Sequence, residues 1–221
     1  TLEYADGIKL HVPAAQAHLL SRYVRVAKGR VQLHRLGGKR WGTEKDAAVR
    51  AIEDMSSALL ETQASRTTLE GHAFPPEPPW QHEFEAGFPY WETPDQHKTI
   101  EEIRADMTTP KPMDRLVCGD AGYGKTEVAM RAAFRAVMDG RQVAVLVPTT
   151  VLAQQHYETF SERMAGYPVR IEMLSRFCTS ASRTATLKGA ADGTVDIVIG
   201  THALVQPSVV FKELGLVIID E

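Results

Sequence analysis

The 221-residue sequence predicts an α/β protein: a parallel sheet with helices between its strands, preceded by a long helix and a small β module. Three observations carry that prediction. From residue 88 onward, apolar runs of roughly four to six residues alternate with helix-forming stretches, the pattern of a sheet buried on both faces. The octet Gly119-Asp120-Ala121-Gly122-Tyr123-Gly124-Lys125-Thr126 follows one such run, precedes a helix-forming stretch, and fits G-x-x-x-x-G-K-[ST] in full. Upstream, residues 43–70 contain few breakers and repeat apolar side chains at helical spacing.

In chain order, Leu2-Glu3-Tyr4-Ala5 and Ile8-Lys9-Leu10-His11-Val12 are β-like runs joined by Asp6-Gly7, a strong hairpin signal, and the second ends at Pro13. A partly helical stretch from Ala14 to Val26, a basic loop and Gly37-Gly38 follow. Residues 1–38 hold too little material for a core, so they are expected to be the later part of a small β module. Ala48, Ile52, Met55 and Leu59 mark one amphipathic helix from Thr43 to about Glu70, with Thr43 and Asp46 as its cap and Gly71 as its stop. The run Phe74-Pro75-Pro76-Glu77-Pro78-Pro79-Trp80 sustains neither helix nor central strand and reads as a stiff, extended linker. Strands are expected at Arg115–Cys118, Gln142–Val147, Val169–Leu174, Asp196–Ile199 and Leu216–Ile219. The divisions are therefore 1–38, 39–87 and 88–221.

Composition is that of an ordinary soluble protein, with 25 Lys and Arg against 28 Asp and Glu. The charge is uneven. Between Lys9 and Lys45 the only acid is Glu44, whereas acids dominate from Glu53 to Asp106, so the first stretch is either a surface for nucleic acid or an acidic partner, or a solvated face. The apolar runs fall far below the ~18–20 residues a membrane span needs, and no signal-peptide pattern opens the chain, so a cytoplasmic setting is expected. Cys118 and Cys178 stand apart, without disulfide or zinc spacing.

The octet is a phosphate-binding loop. Its glycines let backbone N–H groups turn inward around a phosphate, Lys125 offers a mobile charge to the β- and γ-phosphates, and the Thr126 hydroxyl is a ligand for Mg²⁺. Leu214-Gly215-Leu216-Val217-Ile218-Ile219-Asp220-Glu221 is an apolar strand running into two carboxylates: Asp220 is expected to hold Mg²⁺ through water and Glu221 to polarise the attacking water. Because chains seldom end on a buried strand, the sequence is read as a fragment. In Phe88-Pro89-Tyr90-Trp91-Glu92-Thr93-Pro94-Asp95-Gln96, the Gln96 amide matches the donor and acceptor of adenine and Phe88 offers a ring to stack on it, although Thr93-Pro94 is also a simple helix cap. Pro148-Thr149-Thr150 with Gln154, and Gly200-Thr201-His202, place hydroxyls and free N–H groups at strand ends; together they would track a nucleic-acid backbone, and singly each is an ordinary cap.

Taken in order, these motifs resemble the first RecA-like lobe of superfamily 2 helicases and translocases. Met113-Asp114-Arg115-Leu116-Val117-Cys118-Gly119-Asp120, Glu127-Val128-Ala129-Met130-Arg131-Ala132-Ala133-Phe134, Leu174-Ser175-Arg176-Phe177, Lys9-Leu10-His11-Val12-Pro13 and Leu36-Gly37-Gly38 are more closely similar to the bacterial transcription-repair coupling factors, from about Leu2 to Glu221. That resemblance implies an ATP-driven double-stranded DNA translocase that binds the β subunit of RNA polymerase through a Tudor-like domain, pushes stalled polymerase off lesions and recruits the excision-repair protein UvrA. Residues 1–38 would belong to the polymerase-binding domain, with Leu2 on a strand that meets the polymerase by edge pairing. Residues 39–87 would connect it to the motor lobe, 88–221. ATP and Mg²⁺ would be held by Phe88, Gln96, the octet and Glu127, with Lys125, Asp220 and Glu221 catalytic. Thr149, Thr150, Gln154, Thr201 and His202 would meet DNA. The second lobe, with the arginine that completes the ATP site, and the UvrA-binding region lie outside the chain, so turnover by this stretch alone is expected to be absent or very weak. The RecG fork-remodelling helicase shares the motor motifs without the β module and long helix, and is the alternative; a non-catalytic polymerase-docking module is another.

Overall fold

The computed structural model describes residues 1–21 and 33–220, which fall into two compact units, Thr1–Ser65 and Arg66–Glu221. In the first, strand β1 (Leu2–Glu3) pairs antiparallel with β2 (Lys9–Leu10), Leu2 facing Leu10 and Glu3 facing Lys9. Asp6 and Gly7 take left-handed φ values of 66° and 72°, which let the chain reverse within the three residues Ala5–Gly7, while the Tyr4 N–H bonds the Ile8 carbonyl (2.8 Å). A salt bridge from Arg35 to Asp6 (2.8 Å) and a hydrogen bond from the Ala5 N–H to the His34 carbonyl (2.9 Å) tie the returning chain to that turn. A 3-10 stretch spans Ala14–Leu19. The remainder of the expected helix to Val26, and the basic residues Arg22, Arg25, Lys28 and Arg30, lie outside the described residues.

Helix α1 runs from Lys39 to Thr68. It begins four residues before the cap expected at Thr43, because the turn at Gly37, where the Gly38 N–H bonds the Arg35 carbonyl, already sets the start. Thr43 instead lies inside the helix and its hydroxyl donates back to the Lys39 carbonyl. Gly42 costs the helix about 1 kcal/mol relative to alanine, too little to break thirty residues of otherwise favourable sequence. None of the residues of α1 is buried; Ile52, Met55 and Leu59 stay exposed.

In the second unit the proline run is not a free linker. Phe74 is buried, its N–H donates to the Met107 carbonyl (2.8 Å), and the Arg135 guanidinium donates to the Pro75 and Pro76 carbonyls (2.8 and 2.6 Å). The run is extended as expected. That extension leaves its carbonyls open, and a buried guanidinium whose pKa burial lowers takes them as partners. Helix α2 (Gln81–Ala86) then drops Phe84 into the core, stacked on Phe134 with centroids 4.2 Å apart and Tyr167 edge-on to both. Residues 74–87 therefore belong to the α/β unit rather than preceding it.

Helices α3 (Pro94–Met107), α4 (Lys125–Met138), α5 (Thr150–Arg163) and α6 (Ser180–Asp192) accompany strands β3 (Gln142–Leu146), β4 (Ile171–Leu174), β5 (Ile197–Gly200) and β6 (Leu214–Ile219). The strands form one parallel sheet in the order β4-β5-β3-β6. Alternation along β5 sends Ile197 and Ile199 to the larger core, with Phe134, Phe160 and Val145, and Val198 to a smaller one with Leu174, Val195 and Leu204. Buried Gln142 staples the sheet's base: its amide nitrogen donates to the Ala190 and Val195 carbonyls, and its oxygen accepts from the Lys212 and Glu213 N–H groups.

One expected strand is absent. Arg115–Cys118 makes no ladder pairing; Arg115 is held to α3 by Glu102 and Asp106 (2.6 Å each), Val117 packs partly into the core and Leu116 is 87% exposed. The arginine anchors the run to a helix rather than to the sheet, which leaves β6 as the edge strand on the side opposite β4, with Val217 and Ile219 exposed.

Half-buried Asp196, ahead of β5, accepts from the Arg170 N–H (2.7 Å), yet burial outweighs this and raises its pKa. The folded state therefore holds that proton more tightly than the unfolded chain, so stability is lost as pH rises from the ordinary carboxylate range through the raised value. Asp196→Asn, which keeps an acceptor for Arg170, is expected to raise the thermal midpoint at pH 7 and to lose that gain in acid; a pH series of melting curves checks it.

Candidate nucleotide-binding site

The P-loop lies at the N-terminus of α4. Gly122 and Gly124 hold φ values of 83° and 75°, conformations that L side chains rarely adopt, and Gly124 sits at the N-cap. The Lys125 ammonium donates to the carbonyls of Gly119 (2.5 Å) and Asp120 (2.9 Å), so the loop closes around its own lysine. The first N–H groups of a helix have no intrahelical partner and carry the positive end of its dipole, which makes this loop a cradle for anions. Ala121 and Tyr123 are exposed on its rim, and Thr126 is half-buried at the second position of α4.

Gln96 reaches the loop from α3. With Thr93 it forms a reciprocal capping box: the Thr93 N–H donates to its amide oxygen (2.8 Å) and its own N–H to the Thr93 hydroxyl (3.2 Å). Its amide nitrogen donates to the Tyr123 carbonyl (2.9 Å). The cap and the P-loop neighbour are thus the same residue, and a β-carbon on Gly124 would come within 2.4 Å of that nitrogen. Phe88 is half-buried, edge-on to Tyr90 and 5.4 Å from the Arg131 guanidinium carbon, while Trp91 is 98% exposed.

Glu127, expected at the nucleotide, turns its side chain into the protein. Its carboxylate accepts from Arg131 (2.9 Å) and from both Nη2 and Nε of Arg163 (3.0 and 3.2 Å). Arg131 also donates to Glu92 (2.6 Å), and Arg163 donates to the Phe84 carbonyl and lies 4.0 Å above the Phe84 ring. Buried Arg131 and half-buried Arg163 draw the carboxylate away from the loop. Burial works against the charge on both Glu92 and Arg131, yet the ion pairs prevail: Arg131, with His97, lowers the Glu92 pKa, and Glu127 together with Glu92 raises that of Arg131. The spacing Glu127, Arg131 signals half of this network; Glu92 and Arg163 carry no sequence signal.

Asp220 follows β6, where its N–H bonds the Leu146 carbonyl (3.0 Å) and its Oδ2 lies 2.6 Å from Nε2 of His156 on α5. Helix α4 packs on β3 and β6, so the P-loop helix covers the strand that leads to this carboxylate. Glu221 lies outside the described residues. The glycine cradle, the Lys125 ammonium and Asp220 suit a nucleotide triphosphate with a divalent cation.

Among the residues expected at DNA, Thr149 caps α5, accepting from the Leu152 N–H (3.2 Å), and half-buried Thr150 opens that helix. Because β3 and β5 are parallel neighbours with Leu146 opposite Gly200, Thr149-Thr150 and Thr201-His202 leave the sheet along one edge. His202 is exposed there, but Thr201 is buried at 4% exposure. Gln154 donates to Glu158 (2.7 Å). Leu2 is half-buried in the hairpin.

A parallel sheet carrying a glycine cradle at a helix N-terminus, with a carboxylate after a neighbouring strand, defines a RecA-like P-loop lobe. Residues 93–221 match the family described as DEAD/DEAH box helicase, and the chain belongs to that family. It is 54% identical over 213 residues to the transcription-repair-coupling factor of Mycobacterium tuberculosis (strain CDC 1551 / Oshkosh), covering 96% of this chain. It is 50% identical over 220 residues to those of Bacillus subtilis (strain 168) and Escherichia coli (strain K12), covering all of it. The chain spans only 17–19% of those relatives' lengths. A solved structure of RecG bound to a three-way DNA junction is similar over 74% of this chain and 22% of that one, with TM-score 0.69 and 39% identity. Family membership implies ATP and a divalent metal. Among the described residues, no helix is long and apolar enough to cross a membrane.

Proposed function

We propose that this chain is part of an ATP-dependent double-stranded DNA translocase that displaces stalled RNA polymerase and couples transcription to excision repair. The observation that carries this reading is the extent of the likeness. Identity of 50% to two transcription-repair-coupling factors runs the whole chain, through the β hairpin and α1 as well as the motor lobe, whereas the RecG likeness covers 74%. A RecG-like branched-DNA helicase is the second reading, favoured by the shared lobe at 39% identity. A non-catalytic docking module is a poorer fit to a P-loop with both lysine and threonine in place.

Bound Mg²⁺-ATP would supply the phosphoanhydride whose hydrolysis drives movement. The loop N–H groups and Lys125 hold phosphate charge, Thr126 and Asp220 hold the metal, Glu221 polarises water, and Phe88 with Gln96 borders the base. Thr149, Thr150 and His202 line the sheet edge offered to a DNA backbone, with Gln154 one helical turn beyond Thr150; buried Thr201 shapes that edge without touching DNA. The hairpin with Leu2 serves the polymerase β subunit, and UvrA is met by regions beyond these residues. A cytoplasmic setting goes with that work. The test is ATP-dependent release of polymerase stalled by nucleotide starvation, using the intact protein. Release supports the coupling-factor reading; DNA-stimulated ATPase without release, joined by unwinding of forked DNA, would move RecG-like chemistry to the front.

A further inference from the structure

Asp220 is fixed from two sides. Its N–H is bound to the Leu146 carbonyl of β3, and its Oδ2 stands 2.6 Å from Nε2 of His156. An ionised carboxylate only accepts hydrogen bonds, so Nε2 carries the proton and donates it. His156 is 8% exposed, and its ring lies edge-on to Phe160, which is fully buried. The ring therefore cannot swing away without disturbing the core, and a carboxylate held through one oxygen presents the other in a set direction. No sequence motif singles out this histidine.

We propose that His156 is a positioning residue for the metal site: it locks the Asp220 carboxylate through Oδ2 and leaves Oδ1 aimed for a divalent cation or its water. This rests on reading Asp220 as a metal-holding carboxylate. Hydrogen-bonded partners of metal-binding carboxylates set ligand direction, and their loss lowers metal affinity about 10–100-fold. Nucleotide held by the P-loop without metal does not depend on that direction, which separates this role from a general contribution to packing.

The experiment measures binding of a fluorescent ATP analogue to the intact protein, first in EDTA and then across a Mg²⁺ titration. In wild type, Mg²⁺ should tighten binding; if it does not, the reading of Asp220 fails and the proposal falls with it. His156→Ala should move the Mg²⁺ midpoint upward about 10-fold while affinity in EDTA stays within about twofold. His156→Gln, whose amide N–H₂ reaches the position of Nε2, should recover part of the shift. An unmoved midpoint in His156→Ala overturns the proposal, as does equal weakening with and without Mg²⁺ in both variants. Loss of all nucleotide binding by wild type would instead count against the P-loop function itself.

Discussion

Lys125→Ala is expected to abolish ATP turnover in the intact protein, by at least about 100-fold, while leaving polymerase binding in place. The lysine is the only cation inside the loop, and its ammonium rests on two carbonyls of that loop, Gly119 and Asp120. An entering phosphate offers full negative charge in exchange for two neutral acceptors, so the side chain is poised to transfer its bonds to nucleotide. Alanine removes that charge and leaves two exposed carbonyls that water satisfies, so stability should change by no more than about 0.5 kcal/mol. Steady-state phosphate release together with polymerase pull-down checks both halves. Turnover near the wild-type rate would remove Lys125 from the mechanism.

The second large effect concerns folding. Glu127→Ala should destabilise the α/β unit by about 3–5 kcal/mol, because it leaves Arg131, 3% exposed, and Arg163 with an uncompensated share of buried positive charge. Arg131 keeps Glu92, which softens the loss, and Glu127→Gln should fall between wild type and alanine because it restores acceptors without charge. Urea unfolding curves give the magnitude. If Glu127 faced nucleotide instead, alanine would weaken nucleotide binding and leave the unfolding midpoint where it was.

What was legible in the sequence was local. Asp6-Gly7 announces its own turn, Thr93-Pro94 its own cap, and the octet its own loop, since each needs only backbone conformations that neighbouring residues impose. The buried strands were legible for a related reason: both faces of the sheet are covered, Val143, Val145, Ile197 and Ile199 on one and Val198 on the other, so the runs are apolar without alternation. The errors share the opposite cause. Whether Pro75 and Pro76 are a free linker depends on Arg135, about sixty residues away, and the burial of Glu127 depends on Arg163 from another helix. Arg115–Cys118 has strand composition, but composition does not say which edge is within reach, and Arg115 finds two carboxylates on α3 first. His156 carries no signal of its own; only the fold brings Asp220, just past β6, within reach of its ring.

The way the proline run grips Arg135 bears on how portable this lobe is as a piece of protein. Its motifs begin at Phe88, and a gene cut there would look complete by every residue that has chemistry to perform. Such an excision would strip Phe84 from Phe134 and leave the Arg135 guanidinium buried without the two carbonyls it holds. The smallest inheritable module is therefore longer than its active residues: shuffling the lobe between proteins in evolution, or grafting it by design, has to carry the segment from about His72 along, which then travels as a fixed leader whatever domain precedes it.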